Sequence, residues 1–388
     1  MRLALWLGAV VLGMPTVLEA ESEKKTSPAI GTWQLAADWG KGDGKKDGKT
    51  FLTINEDLTG TIRESQDWIS ELKDLNVKGR TVGFRYFFGG KQEYPIQFEG
   101  TVAGEKLKGT FKGFGATAVV TGEKLTATEA QALAEQPSLI DLYEARTFTD
   151  SRGETLPYRL FVPSEVKTET KWPLVLFHHG GGGAGSDNRQ QLEGACAREW
   201  VLPEAQKANP CVIVAPQIPG KKKGGGEKKG AKSGDPSAID QMKAHIRTIH
   251  ELLDHLEKEF PIDRTREYVT GLSFGGECTW LSLMEEPGRF AAAVPVCAGN
   301  RLMDMEVAVR GRSFSRFPLW IFHGSADKVI SVEASREIVK ALREAGGSPK
   351  YTEYPDVGHN CWDQAYRDPE LIRWVFAQQR KPTDEDKP

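Results

Sequence analysis

The second part of the chain has a sequence pattern that restricts the possible folds to one class. From Ala145 onward, short apolar runs with strand composition alternate with stretches of helical pattern. Runs that are apolar without interruption fit strands buried on both faces, as in a parallel sheet covered by helices. The pattern therefore predicts an α/β fold over residues 145 to 380, with a mostly parallel, doubly wound sheet. The predicted interior strands are Leu174–Phe177, Cys211–Ala215, Tyr268–Thr270, Ala292–Val296 and Leu319–Phe322, with Tyr351–Pro355 as the last strand.

Residues 28 to 126 have a different pattern, with short alternating or apolar runs separated by turn residues. This pattern predicts a small antiparallel all-β domain of about seven strands, closed into a barrel or half-barrel. The segment contains no histidine and no cysteine, so we expect no catalysis from it. A packing domain and a domain that binds a ligand or polymer both remain open. Residues 127 to 144 are predicted to form a helical linker, and residues 381 to 388 a polar tail.

The overall charge bears on the binding partners of the protein, and the N-terminus bears on its localisation. The formal net charge of −3 lacks the basic excess that nucleic-acid-binding and anionic-membrane-binding proteins usually carry. An apolar run from Leu3 to Leu12 follows Arg2 and ends before Ala20, so residues 1 to 20 are interpreted as a signal peptide. The run is too short to span a bilayer. We expect a secreted or periplasmic protein without stable membrane insertion; a retained anchor or a buried strand is the alternative.

The segment Gly271-Leu272-Ser273-Phe274-Gly275 lies between a predicted strand and a predicted helix. This arrangement is typical of a nucleophile elbow, in which a tight turn holds a serine hydroxyl exposed and the neighbouring glycines avoid collisions. The motif alone is weak evidence, because a Gly-x-Ser-x-Gly pattern also arises by chance. Its interpretation depends on partner residues elsewhere in the chain.

Partners for Ser273 follow in later loops. Asp327 comes after one predicted strand and His359 after the next, which gives the order serine, acid, histidine. This is the order used by α/β-hydrolases. Asp356, three residues before His359, is the alternative acid. We predict that His359 deprotonates Ser273 and that Asp327 orients the imidazole.

The predicted oxyanion hole lies upstream, where a strand ends in the run from His178 to Gly183. Its two donors are expected to be the backbone N–H of Phe274 and that of Gly181, with Gly182 as an alternative for the second. His179 and His323 precede glycines at strand ends and are expected to pack or form hydrogen bonds without transferring protons.

The remaining predictions concern the pocket, cofactors and cysteines. Trp362, Asn360, Asn300, Gln217 and Trp280 are the candidate substrate-binding residues, and Asp187 is expected to brace the glycine-rich loop. The mechanism requires no metal and no organic cofactor. His245, His250 and His255 are five residues apart on one predicted helix, a spacing that does not suit a metal pair. Of the five cysteines, Cys297 and Cys361 form the predicted disulfide, with buried thiols as the alternative.

These motifs together resemble secreted α/β-hydrolases related to polyhydroxybutyrate depolymerases, feruloyl and acetylxylan esterases, and predicted bacterial peptidases. The resemblance covers residues 145 to 380, and the Lys- and Gly-rich stretch from Pro219 to Pro236 departs from it. It implies a serine hydrolase that cleaves carboxylic esters through an acyl-enzyme, with a small-molecule or polymeric ester as its substrate. A serine peptidase of the same fold and an inactive binding protein are the alternatives. The sequence predicts neither the acyl group nor the oligomeric state.

Overall fold

A computed structural model of the chain describes residues 27–38, 50–64, 68–87, 95–113, 115–135, 139–163, 171–192, 195–220, 236–299, 314 and 316–382. The chain divides into two compact units, residues 1–138 and 139–388. The predicted signal peptide, most of the Lys- and Gly-rich stretch, and most of the predicted polar tail lie outside the described residues. No helix within the described ranges is long and apolar enough to cross a membrane.

The first unit contains one antiparallel sheet that is nearly closed and barrel-like, as predicted. Its nine described strands are ordered β4-β3-β2-β1-β9-β8-β7-β6-β5, two strands more than the seven expected. The ends approach each other where the Ser70 hydroxyl of β4 donates to the Phe87 carbonyl of β6 over 3.0 Å. The strands are β1 (Gly31–Asp38), β2 (Thr50–Ile54), β3 (Gly60–Glu64), β4 (Trp68–Glu71), β5 (Lys73–Lys78), β6 (Thr81–Phe87), β7 (Pro95–Ala103), β8 (Lys106–Gly113) and β9 (Ala116–Lys124).

Strict alternation of apolar and polar residues builds this sheet. In β7, Ile96, Phe98 and Val102 are buried, whereas the residues directly before and after each of them are exposed. Phe98 stacks on Phe84 with 4.8 Å between the ring centroids and meets Phe111 edge to face at 5.2 Å. Successive side chains of a strand point to opposite faces, so this alternation gives an apolar interior and a charged exterior.

Two short helices lie within residues 127 to 144, the segment predicted to be a helical linker. Helix α1 spans Ala127–Glu135 and belongs to the first unit, and α2 spans Leu139–Leu142 in the second. Thr126 caps α1 through a reciprocal pair of hydrogen bonds, since its hydroxyl accepts from the Glu129 N–H and the Glu129 carboxylate accepts from the Thr126 N–H. This capping box explains why the helix begins where it does.

The second unit contains an eight-stranded sheet, ordered β10-β11-β13-β12-β14-β15-β16-β17. All pairs from β13 to β17 are parallel, and β10 and β11 add an antiparallel edge. The predicted α/β fold is confirmed, and each predicted interior strand is present. The strands are β10 (Glu144–Thr149), β11 (Thr155–Phe161), β12 (Trp172–His178), β13 (Val212–Pro216), β14 (Ile262–Leu272), β15 (Ala292–Val296), β16 (Trp320–Gly324) and β17 (Lys350–Tyr354).

Helices cover both faces of this sheet. Leu174 and Leu176 of β12 belong to one apolar cluster, whereas Val175 and Phe177 of the same strand belong to another on the opposite face. Helices α5 to α7 contribute to the first cluster, and α3, α8 and α9 contribute to the second. The described helices are α3 (Ala195–Val201), α4 (Pro203–Ala208), α5 (Pro236–Glu259), α6 (Phe274–Glu285), α7 (Glu333–Glu344), α8 (Trp362–Tyr366) and α9 (Pro369–Phe376).

Candidate active site

Ser273 occupies a strained turn between β14 and α6. Its φ of 53° and ψ of −118° place an L-residue in a backbone region that is rarely occupied. The Ser273 N–H donates to the Val296 carbonyl over 2.8 Å, and its carbonyl accepts from the Glu277 N–H at 3.1 Å. The neighbouring strand and the first turn of α6 therefore hold this conformation on both sides.

The glycines of the motif are required by close backbone approach. A β-carbon added to Gly275 would lie 2.1 Å from the His178 carbonyl oxygen, and one added to Gly271 would lie 2.4 Å from the Gly275 carbonyl oxygen. Neither distance is possible without moving the chain. The motif is therefore a packing requirement that brings α6 against the end of β12, next to the glycine-rich loop.

Two hydrogen bonds join the three residues that the sequence predicts to act together, Ser273, His359 and Asp327. The Ser273 hydroxyl lies 2.9 Å from His359 Nε2, and His359 Nδ1 lies 2.6 Å from Asp327 Oδ2. With Nδ1–H donating to the carboxylate, Nε2 is left to accept the serine proton. Because these two contacts use both ring nitrogens, the alternative acid Asp356 has no place on the imidazole. Asp356 instead donates its backbone N–H to the Ser325 hydroxyl.

The Asp327 side chain has no solvent exposure and is fixed at both carboxylate oxygens. Oδ1 accepts the backbone N–H groups of Val329 at 2.8 Å and Ile330 at 3.0 Å, while Oδ2 accepts from His359. Burial alone raises the pKa of this carboxyl, but the hydrogen bonds from His359, Ile330 and Val329 outweigh it and lower the pKa below the ordinary value. Asp327 is thus ionised at neutral pH and faces the imidazole.

The glycine-rich run forms a 3₁₀ turn, Gly181–Gly183, whose first peptide is held in one orientation. The Gly180 carbonyl accepts from the Gly183 N–H at 2.9 Å and from His179 Nδ1 at 2.7 Å, while His179 Nε2 accepts from the Ile218 N–H at 3.0 Å. In a trans peptide the N–H points opposite to the carbonyl. The Gly181 N–H is therefore directed away from the His179 ring, and Gly181 itself is exposed.

Position 181 lies beside the nucleophile turn. A β-carbon added to Gly181 would lie 4.0 Å from the β-carbon of Phe274. Phe274 is the first residue of α6, so its backbone N–H has no acceptor within the helix. The positive end of the helix dipole also lies at this point. The two predicted donors thus flank Ser273, in a region that favours negative charge.

Gln217 is not a pocket wall, contrary to the prediction. It is completely buried, and its carboxamide donates to the Gly183 carbonyl at 3.0 Å and to the Asp187 carboxylate at 2.7 Å. Its oxygen accepts from the Asn188 N–H at 2.7 Å. All of the polar atoms of this side chain therefore serve to hold the glycine-rich loop, and Asp187 braces the loop as expected.

The other predicted pocket residues have different positions. The Trp362 ring meets the His359 ring edge to face, with 5.3 Å between centroids, and Asn360 is exposed beside it. Trp280 is 1% exposed inside the apolar cluster on the α5 and α6 side of the sheet, so its prediction as a substrate contact is wrong. Asn300 lies outside the described residues. Trp362 and Asn360 remain the candidates for substrate contact.

Cys297 and Cys361 are neighbours, but no disulfide joins them. Both thiols are fully buried. Burial, with the Cys361 thiol next to it, raises the pKa of Cys297 well above its ordinary value. The sequence therefore predicted the correct pair of neighbours and the wrong bond. Within the described ranges, no group of His, Cys, Asp or Glu is arranged to hold a metal ion.

Comparisons with known proteins agree with this geometry. A family model described as phospholipase/carboxylesterase matches residues 163–369, just over half of the chain. A probable carboxylesterase of Oryza sativa subsp. japonica is 28% identical over 207 residues, which cover 49% of this chain and 82% of the rice protein. A crystal structure of a thermostable esterase is 27% identical with a TM-score of 0.55, and the match covers 92% of each chain.

A third relative is matched over a shorter region. The bifunctional acetylxylan esterase/xylanase XynS20E of Neocallimastix patriciarum is 27% identical over 112 residues, which cover 28% of this chain. The match spans 16% of that protein, and a match to a carboxylesterase of Arabidopsis thaliana spans 56% of its length. The resemblance to esterases that the motifs predicted is confirmed.

Proposed function

The chain belongs to the phospholipase/carboxylesterase family of α/β-hydrolases, and we propose that it is a serine esterase that uses Ser273, His359 and Asp327. The main support is the continuous chain of hydrogen bonds from the Ser273 hydroxyl through His359 to the buried carboxylate of Asp327. The glycine-rich loop beside the nucleophile turn supports the same proposal, because a β-carbon added to Gly181 would lie 4.0 Å from the β-carbon of Phe274.

The proposed reaction begins when the Ser273 Oγ attacks the carbonyl carbon of an ester and its proton passes to His359 Nε2. The oxygen of the tetrahedral intermediate carries the negative charge and accepts from the N–H groups of Gly181 and Phe274. Collapse breaks the bond to the alcohol, which leaves with the proton from His359. Water, deprotonated by the same imidazole, then hydrolyses the acyl-enzyme and releases the acid.

The buried carboxylate has two functions in this scheme. It keeps the proton of the neutral imidazole on Nδ1, so that Nε2 accepts the serine proton. It also stabilises the imidazolium that forms during attack. The backbone N–H groups on the other oxygen of Asp327 prevent the carboxylate from rotating away.

We infer that the natural substrate is an acylated polysaccharide or a related ester, and that the protein is exported. The signal-like N-terminus supports export. The similarity to a protein named acetylxylan esterase/xylanase supports an acylated polysaccharide. An ester is favoured over a peptide because its leaving group needs less help from protonation.

Turnover of three chromogenic or aromatic substrates tests this proposal: p-nitrophenyl acetate, methyl ferulate and an aminoacyl p-nitroanilide. We expect hydrolysis of one or both esters and little hydrolysis of the anilide, all of it lost in Ser273→Ala. Acetate release from acetylated xylan, followed by chromatography, then tests the polymer. Turnover of the anilide alone would instead identify a peptidase.

A further inference from the structure

A second histidine contacts the buried carboxylate of the candidate triad. His323 lies on β16 with no solvent exposure, four residues before Asp327. Its Nε2 lies 3.2 Å from Asp327 Oδ2, the same oxygen that accepts from His359 Nδ1, and 3.1 Å from the Ile330 carbonyl oxygen. The proposed ester hydrolysis makes no use of the His323 ring.

The surroundings of His323 determine which of its nitrogens carries the proton. Nε2 faces two groups that only accept, a carbonyl and a carboxylate, so it must bear hydrogen. Nδ1 lies 2.7 Å from the hydroxyl of Ser335, a buried residue of α7, and accepts from it. Burial lowers the pKa of His323 below the ordinary value even though Ile330 and Asp327 oppose that effect, so the ring is neutral at pH 7.

We propose that His323 is a positioning residue that acts through Asp327, with Ser335 fixing its tautomer. The single Nε2–H of the neutral ring is shared between the Ile330 carbonyl oxygen and Asp327 Oδ2, and its contact with the carboxylate helps to hold that oxygen against His359. The inference rests on the proposed serine mechanism. In this scheme, the carboxylate accepts three hydrogen bonds, two from backbone N–H groups on Oδ1 and one from His359 on Oδ2, and the His323 Nε2–H lies against Oδ2 as a further polar contact.

His323 also changes the electrostatic environment of the base. The positive end of its Nε2–H dipole lies between the Ile330 carbonyl and the carboxylate, and its closeness to the carboxylate reduces the stabilisation that Asp327 gives to an imidazolium at position 359. The titratable groups around His323 are Asp327, His359 and Glu353 of β17. Glu353 is already paired with Arg336 and accepts from the Tyr351 hydroxyl at 2.7 Å. Asp327 is therefore the only carboxylate among these groups that His323 contacts directly.

The test is the dependence of kcat/KM on pH for ester hydrolysis by the full chain. In His323→Phe an aromatic ring still fills the space, but the Nε2–H donor is lost. The acid limb of the profile therefore moves to higher pH. We expect a move of about half to one pH unit, the equivalent of one ordinary hydrogen bond. The value of kcat/KM on the plateau falls at least about tenfold, because the carboxylate is less well positioned.

Two further variants separate positioning from packing. His323→Gln retains an N–H near the position of Nε2 and should restore both the wild-type acid limb and most of the activity. Ser335→Ala leaves the ring in place but no longer fixes its tautomer, so we expect a smaller move in the same direction. His250→Phe is the matched control, because it removes another buried histidine, on α5, that makes no contact with the candidate triad. Its acid limb should match that of the wild type.

A spectroscopic readout makes the outcome independent of turnover. The proton on His359 Nδ1, shared with Asp327, should give a low-field proton resonance that shifts in His323→Phe and returns in His323→Gln. An unchanged acid limb and resonance in both His323→Phe and Ser335→Ala would overturn the inference. If His323→Phe does not fold, the acid limb and the resonance of Ser335→Ala decide between the two outcomes. A wild-type protein without ester turnover would refute the proposed function, while the resonance would still test the contact.

Discussion

A single methyl group at Gly275 should disrupt the candidate site. In Gly275→Ala the new β-carbon would lie 2.1 Å from the His178 carbonyl oxygen and 2.6 Å from that of His179. Ordinary contacts require more than 3 Å, so the start of α6 must move by about 1 Å relative to β12. A displacement of about 1 Å in a catalytic geometry costs about a hundredfold in rate, and overpacking costs about 1 to 3 kcal/mol of stability. We therefore expect the variant to fold and to lose about two orders of magnitude in kcat/KM.

The assay is p-nitrophenyl acetate hydrolysis, with urea unfolding to measure the free energy of unfolding of the same preparations. Gly83→Ala is the matched control, because its added β-carbon would lie 3.7 Å from the nearest atom outside its chain neighbours, the Phe98 carbonyl oxygen. We expect wild-type activity from it. If Gly275→Ala retained kcat/KM within threefold of wild type, the contact between α6 and the end of β12 would not set the site geometry.

Three further predictions follow from the hydrogen bonds and the burial of individual side chains. Asp327→Asn should lower kcat by about four orders of magnitude, because the amide favours the wrong imidazole tautomer, whereas Asp356→Asn should remain within threefold of wild type in the same ester assay. Gln217→Leu leaves the buried Gly183 carbonyl without its donor; urea unfolding should show a loss of about 3 kcal/mol, and kcat should fall at least about tenfold as the oxyanion donor moves. Burial lowers the pKa of His178 from 6.5 to about 3, so the unfolded chain binds a proton there that the folded chain does not, and stability falls as the pH falls from 6.5 towards 3. The free energy of unfolding should therefore drop by about 2 kcal/mol between pH 7 and pH 5 through this residue, and His178→Gln should remove that part of the dependence in urea titrations at the two pH values.

The sequence predicted most of the second unit because its signals are local. A buried parallel strand is apolar along its whole length, so β12 and β13 can be recognised without knowledge of their neighbours. The nucleophile turn could be recognised for a similar reason, since Ser273 requires glycines at fixed positions around it. The polar residues after β16 and β17 follow from the rule that parallel strands end at one edge of the sheet.

The errors concern side chains whose role depends on non-local packing. Gln217 follows a strand at the correct edge, yet its direction depends on a loop almost thirty residues earlier in the chain. Trp280 faces the core because of the angle at which α6 leaves Ser273, and the sequence contains no signal for that angle. The contact between His323 and Asp327 depends on how the loop after β16 folds back, so residue spacing alone could not predict it.

The predicted number of strands in the first unit is too low because β4 and β5 are short strands at the two edges of the sheet. The strand Lys73–Lys78 has no fully buried residue and lies at an edge of the sheet. Leu75 and Val77 alternate with exposed residues but are only partly buried, so the apolar signal of this edge strand is weak. The count therefore fails where the hydrophobic signal is weakest.

Covalent labelling shows whether Ser273 is the nucleophile. Intact-protein mass spectrometry after treatment with a fluorophosphonate should show one adduct, and peptide mapping should place it on Ser273. Ser273→Ala should show no adduct, and His359→Ala should label far more slowly than wild type. An adduct on another serine, or no adduct on a folded wild-type protein, would show that Ser273 is not the nucleophile.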